Sequence, residues 1–211
     1  MKKAFIMIIA ALLIATIAIS VIGCDSINNT GGSVYNRDEF MDGVSSVFIH
    51  KYNNNQKIWE VDIVKNANYD TLTSANNFNS FIAKIKTDLI TNNKKIRSFM
   101  FVVEAQTDCT INFALIINSR TDVKYFEQQE IALSANTPIR VTFYIDKNIS
   151  DLIDNEYPNF IIETNKFEEV PDDAIEYKRT MFGKKYNYVY TATEVEFTVS
   201  DFQAVIEDIK A

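Results

Sequence analysis

A recurrent period of two limits the fold of this chain more than any other feature. Ile111, Phe113, Leu115 and Ile117 share one parity, with Asn112 and Asn118 on the other. Ile139, Val141, Phe143 and Ile145 repeat the pattern against Arg140, Thr142 and Tyr144, and Trp59, Val61 and Ile63 do so against Glu60 and Asp62. Only an extended chain places alternate residues on one side, so each segment reads as a strand with one buried face. Residues 96–103 are apolar on both parities, as a central strand requires. Short strands at spacings of roughly 10 to 15 residues, without alternating helices, predict a mainly β domain over a parallel α/β sheet. Two antiparallel sheets packed face to face, jelly-roll-like, is the expected architecture.

The breaks between these segments carry turn chemistry without glycine. The chain has only five glycines, while Asn53-Asn54-Asn55, Asn92-Asn93, Asn118-Ser119 and Asn136-Thr137-Pro138 fall between apolar runs. Asparagine tolerates positive φ better than other non-glycine residues and takes the place of glycine in such connections. One stretch has another period. Phe78, Phe81, Ile82, Ile85 and Leu89 lie three or four apart, which predicts one helix around residues 77–91, started by Asn76 or Asn77 and ended at Asn92-Asn93.

The first two dozen residues carry an address. Lys2 and Lys3 precede an uncharged, mostly apolar run from Ala4 to Gly23, the layout of an export signal. The run closes on Val21-Ile22-Gly23-Cys24, which resembles the lipobox of bacterial lipoproteins. That resemblance implies lipid transfer to the Cys24 thiol, cleavage after Gly23 and acylation of the new amino terminus, with palmitate among the attached chains. Stable anchoring takes more than one acyl chain, which this modification supplies. The alternative is an uncleaved anchor helix, since about 20 apolar residues span a bilayer. Either way the remainder is expected outside the cytoplasm, in the bacterial cell envelope and held to a membrane. Residues 1–23 are then a signal peptide, 24–36 a lipidated flexible tether rich in Asn, Ser, Thr and Gly, and 37–211 a single domain.

Charge and cysteine content narrow the function. Loss of Lys2 and Lys3 takes the formal charge from −7 to −9, and an acidic surface repels nucleic acid, so no nucleic-acid partner is expected. With Cys24 lipidated, Cys109 has no intramolecular partner, so the fold must hold by burial alone. Cys109 is expected to be buried beside a strand. The glycine positions admit no P-loop, dinucleotide fingerprint or G-x-S-x-G elbow, and the single histidine, His50, rules out multi-histidine metal sites. No cofactor and no metal is expected.

Residues 97–145 run as an apolar strand ending in Ala105, an alternating strand at 110–117, a polar hairpin with the aromatic pair Tyr125-Phe126, and a strand closing through Phe143. The order resembles the galactose-binding-like jelly rolls used as carbohydrate-binding modules. The resemblance implies carbohydrate contact through aromatic rings stacked on sugar faces and polar side chains bonded to hydroxyls, with Tyr125, Phe126, Gln128 and Glu130 as local candidates. A second set follows from parity. If residues 186–199 form one regular strand, burying Val195, Phe197 and Val199 turns Tyr186, Tyr188 and Tyr190 to the other face as a row of exposed rings. A bulge or turn near Ala192-Thr193 would instead return them to the core.

Catalytic constellations are weak. Glu127 with Glu130, Glu168 with Glu169, and Asp172 with Asp173 are carboxylate pairs, but 28 acidic residues produce such pairs without purpose. His50 ends a short apolar stretch and reads as a strand-end surface residue. The chain is therefore expected not to be an enzyme. Its expected role is non-catalytic, with the membrane as partner through Cys24 and either a carbohydrate ligand or a protein partner on the β-sandwich.

Overall fold

The period-two apolar faces of residues 111–117 and 139–145 become parts of the inner faces of two sheets. The computed structural model describes residues 32–53, 58–64, 71–73, 80–118, 122–152, 159–164, 166–174, 179–189 and 195–209. Met1–Gly31 and Gly32–Ala211 form separate units, and the first, with Cys24, lies outside the described residues. The second begins with strand β1 (Ser33–Asn36), helix α1 (Arg37–Phe40), β2 (Met41–Asn53), β3 (Ile58–Val64), β4 (Thr71–Thr73) and β5 (Ser80–Ile85). Helix α2 (Thr87–Thr91) leads into β6 (Lys94–Ala105), β7 (Cys109–Asn118), β8 (Val123–Leu133) and β9 (Ile139–Asn148). Helix α3 (Ile149–Leu152) precedes β10 (Asn159–Glu163), β11 (Lys166–Val170), β12 (Arg179–Met181), β13 (Lys184–Val189) and β14 (Phe197–Asp208).

The fold is mainly β, and its described strand pairings are antiparallel. The first sheet has the order β1-β14-β6-β9, with β4 also on β14; the second runs β3-β2-β5-β10-β7-β8. Consecutive strands β5 and β6, β6 and β7, β8 and β9, and β9 and β10 lie in different sheets. The chain thus sews the two layers together, as in a sandwich.

Phenylalanines from both sheets fill the space between them. Phe99 of β6 meets Phe160 of β10 at 4.5 Å between ring centroids, edge to face. Phe81 of β5 stacks on Phe202 of β14 at 5.2 Å, and Phe101 of β6 meets Phe113 of β7 at 5.2 Å. All six rings are buried. Each contributes its area to the core and about 0.5–1.5 kcal/mol more per ring pair.

Strict alternation would not bring all these rings inside. In β14, Phe197 and Val199 face the core, and so do Phe202, Ala204 and Ile206, of opposite parity. A bulge between Ser200 and Gln203 makes the switch, with Asp201 at φ 54°. On β6, Ile96 and Phe99 both face inward, across a register shift against β9 where Asp146 has φ 50°. Each left-handed aspartate is held by cations from a neighbouring strand or its own sheet: Arg140 lies 3.3 Å from Asp201, while Lys95 at 2.9 Å and Arg97 pair with Asp146.

Three expectations need correction. The helix around residues 77–91 is confined to α2; residues 80–85 are β5, the neighbour of both β2 and β10. Phe81, Ala83 and Ile85 face the main core while Ile82 packs on the opposite side of the sheet. A strand buried on both faces carries apolar residues on both parities, which imitates helical spacing. Phe78, Asn76 and Asn77 lie outside the described residues. The flexible tether does not reach residue 36: Ser33–Asn36 is a strand on β14, and Asn36 caps α1 by accepting from the Glu39 amide while its own amide donates to the Glu39 carboxylate. Residues 186–199 are not one strand, because β13 and β14 belong to different sheets.

Asparagine does replace glycine where the turns demand it. Asn93 has φ 51° after α2, and Asn136 has φ 53° between β8 and β9. Residues 96–103 form the interior of β6, flanked by β14 and β9.

The bulge on β14 yields a test. Asp201→Gly should leave the urea midpoint nearly unchanged, because relief of the left-handed backbone offsets the loss of an exposed ion pair worth about 0–1 kcal/mol. Asp201→Val should destabilise by about 1–2 kcal/mol, since a β-branched residue resists positive φ.

Candidate functional site

Strand parity decides what the β8 candidates can do. Tyr125 shares a face with Glu127 and Gln129, while Phe126, Gln128 and Glu130 take the other. The four side chains therefore do not meet at one site.

Tyr125 turns toward the gap between β8 and β9, the edge strands of the two main sheets. Its hydroxyl donates to the Glu127 carboxylate and lies 3.3 Å from the carbonyl of Tyr144. Gln129 donates to Glu127 at 2.7 Å and to the carbonyl of Thr142 at 3.0 Å. One β9 carbonyl is thus satisfied by a β8 side chain and a second is faced by the Tyr125 hydroxyl, which closes this side of the sandwich. Burial, and then the bond to Glu127, holds the Tyr125 phenol above the ordinary tyrosine range.

Phe126 and Gln128 lie on the outer face of the second sheet, beneath the third. That small sheet has the order β11-β13-β12. Ala114, Ile116, Ile161, Phe167 and Met181 form a second apolar cluster, with Ile82, Val123, Phe126 and Tyr186 packed against it. The Phe126 ring meets Phe167 at 5.5 Å and Tyr186 at 5.6 Å. Gln128 clamps the β11 backbone: its Nε2 donates to the Phe167 carbonyl at 2.9 Å, and its Oε1 accepts from the Phe167 amide at 3.0 Å. The side-chain amide acts as one more strand residue, a geometry suited to fixing β11 in place. Glu130 is exposed on the same face as Phe126 and Gln128.

A buried carboxylate completes this junction. Glu163 is only 4% exposed, and its Oε1 accepts from Arg179 at 2.9 Å. The Arg179 guanidinium also sits 5.6 Å from the centre of the Phe167 ring, so the cation is held by a carboxylate and an aromatic face together. Ser80, Asn112 and Thr164 are buried polar residues as well; Ser80 pairs with Glu163 across β5 and β10. Sequence reasoning missed Glu163, Arg179 and Phe167. The available signal was a charge directly after the apolar run Phe160-Ile161-Ile162, at a position where a strand remains buried.

Of the tyrosine row, Tyr186 is half-buried against Phe126. Tyr188 is described in backbone only and pairs with Phe167 in the β11–β13 register; Tyr190 lies outside the described residues. Phe126, Gln128 and Tyr186 are therefore the candidates brought together, and all three are engaged in holding the third sheet.

The carboxylate pairs do not face one another across a cleft. Glu127 and Glu130 fall on opposite faces of β8, Glu169 bonds Lys184 at 3.0 Å and Glu168 lies 3.7 Å from Lys166. Cys109 opens β7 half-buried, not fully buried as expected; burial and then the Asp108 carboxylate push its thiol pKa up, which keeps it protonated. His50 lies within β2, three residues before its end, paired in register with Val61. Among the described residues no group of three or more His, Cys, Asp or Glu is arranged to hold a metal ion. No described helix is long and apolar enough to cross a membrane.

No family model matches this chain, and no curated protein matches it. Among solved structures, it is similar to a chain in the structure of infectious bursal disease virus, Gx strain, with 12% identity and a TM-score of 0.27. The match covers 84% of this chain and 40% of the viral one, so this chain spans well under half of that protein's length.

Two outcomes test this geometry. Arg179→Met should destabilise the fold by about 1–3 kcal/mol by stripping a partner from a buried carboxylate, and adding Glu163→Gln should recover a large part of the loss in urea titrations. A raised folded-state phenol pKa at Tyr125 contributes stability that is intact below about pH 10, the unfolded value, and is lost as pH rises toward the folded one. Tyr125→Phe should accordingly flatten the alkaline limb of the urea midpoint profile.

Proposed function

We propose that this chain is a bacterial envelope lipoprotein: the Cys24 thiol is lipidated, and a β-sandwich is displayed from the membrane to work by contact without catalysis. The observation that carries the reading is Val21-Ile22-Gly23-Cys24 closing an uncharged apolar run behind Lys2 and Lys3. The small Gly23 leaves the peptide bond before Cys24 accessible to a peptidase, and the thiol is the nucleophile that accepts lipid.

The disposition of side chains supports a protein-interaction role over glycan binding. Stacking on a sugar requires an uncovered ring, and Phe126 and Tyr186 are packed against Phe167 and each other's sheet. Tyr125 is committed to Glu127. Carboxylates tied to lysines, arginines and a tyrosine, together with a protonated thiol, support a non-catalytic body.

Metabolic labelling with palmitate in a bacterial host tests the anchor. The full chain should incorporate label, and Cys24→Ala should lose essentially all of it. Equal labelling of the two chains would remove the lipoprotein reading.

A further inference from the structure

The β12–β13 hairpin ends in a two-residue turn, Phe182-Gly183, with φ 52° and 75°. Both central residues are left-handed, as a type I′ turn requires, and such turns favour Asn, Asp or Gly at the first position. A bulky aromatic there costs on the order of 1 kcal/mol. Phe182 is nevertheless 57% exposed, so the ring returns little of that cost to the fold, in contrast to its neighbour Met181, which is buried in the second cluster.

The direction of the tip follows from register. Gln128 holds the backbone of Phe167, the register partner of Tyr188, while Tyr186, two residues nearer the turn, packs on Phe126, two residues nearer to where β8 begins beside Asn118, the neighbour of Asn159 at the start of β10. The hairpin therefore advances toward the pole at which β10 starts and β7 ends. At this same pole β9 ends at Asn148, opposite Lys95, and β14 ends at Asp208, opposite Lys94. Ser33 pairs with Ile206, and Gly32 lies against Val205 and Ile206, so the chain enters the domain at this pole too. Seven residues separate Cys24 from Gly32, eight Cα-to-Cα steps with a reach of at most about 28 Å. The strands of the body span more, about 40 Å along the 12 residues of β6.

We propose that Phe182 is a membrane-facing foothold that inserts into the lipid interface, an inference that rests on the lipoprotein reading. The occupant of the tip is a lipid surface because the entry point and the short tether hold this pole near the bilayer. The flanking lysines are tied down, Lys184 to Glu169 at 3.0 Å and Lys185 to the Asp172 carbonyl. The tip therefore meets a zwitterionic surface with its ring, and does not need anionic lipid.

The test uses the full acylated chain in phosphatidylcholine vesicles, with Trp59 retained and its emission subtracted. Phe182→Trp should emit to the blue, and its emission should fall to roughly half when the lipids are brominated near the headgroup, as insertion to the acyl boundary requires. Thr107→Trp, in the exposed bend between β6 and β7 at the opposite pole, should show neither change. Phe182→Gly should keep or raise the urea midpoint. Emission from Phe182→Trp matching that of Thr107→Trp in acylated chains overturns the foothold alone, as does a marked loss of stability in Phe182→Gly. Absence of palmitate from the same preparation overturns the anchor and the foothold with it.

Discussion

Interdigitation of phenylalanine rings between two sheets is the constraint from which the rest of this structure follows. Cys109, the one cysteine among the described residues, is free, so cohesion there comes from buried area, and the rings deliver it only if both sheets present them to the same space. That requirement explains the bulges in β14 and between β6 and β9. Without the shift at Asp201, Phe202 would point away from Phe81 and Phe99, its partners across and within the sandwich. Aspartates in left-handed backbone are tolerated there because arginine and lysine side chains hold them from adjacent positions.

A sandwich has open edges and two outer faces, and this one covers part of each by different means. Between β8 and β9 the edge is closed with polar side chains: Gln129 donates to a β9 carbonyl as a neighbouring strand otherwise would, and Glu127 accepts from Tyr125 and Gln129. Over β10, β7 and β8 the outer face is covered by a third sheet, seated on apolar side chains and fixed by Gln128 and the Glu163–Arg179 pair. The aromatic residues that looked most like a ligand platform are the ones this covering uses. Packing and binding draw on the same residue types, and in β8 packing has taken them.

Strands with one dry face were legible from sequence. Residues 139–145 show clean alternation because water contrasts their two sides, the apolar parity of residues 111–117 stands out although the third sheet covers Ala114 and Ile116 on the other face, and Asn93 and Asn136 announce their turns through a conformational preference peculiar to asparagine. The helix predicted over residues 77–91 fails where that contrast weakens, because in β5 Ser80 and Ile82 are also covered on the face opposite Phe81, Ala83 and Ile85. β1 was hidden for the opposite reason: Ser33-Val34-Tyr35-Asn36 is short, polar and largely exposed, and follows two glycines, so nothing local distinguishes it from a linker. The parity of β8 was readable and already separated Tyr125 from Phe126. What sequence could not supply was the docking of β11 onto that face, which depends on Gln128 and Phe167, 39 positions apart, finding each other.

The position of β14 bears on the order in which the molecule can come into being. It lies between β1 and β6, joining the earliest strand of the domain to the middle of the chain, and Ser33 must wait for Ile206 before it has a partner. A polypeptide threaded through a narrow pore from its leading end emerges with β1 first and β14 last. The first sheet stays incomplete, with the flank of β6 uncovered, until nearly all of the chain has emerged. Pairings so distant along the chain form slowly. Chaperones that shield nascent strands would meet this protein chiefly through that uncovered flank.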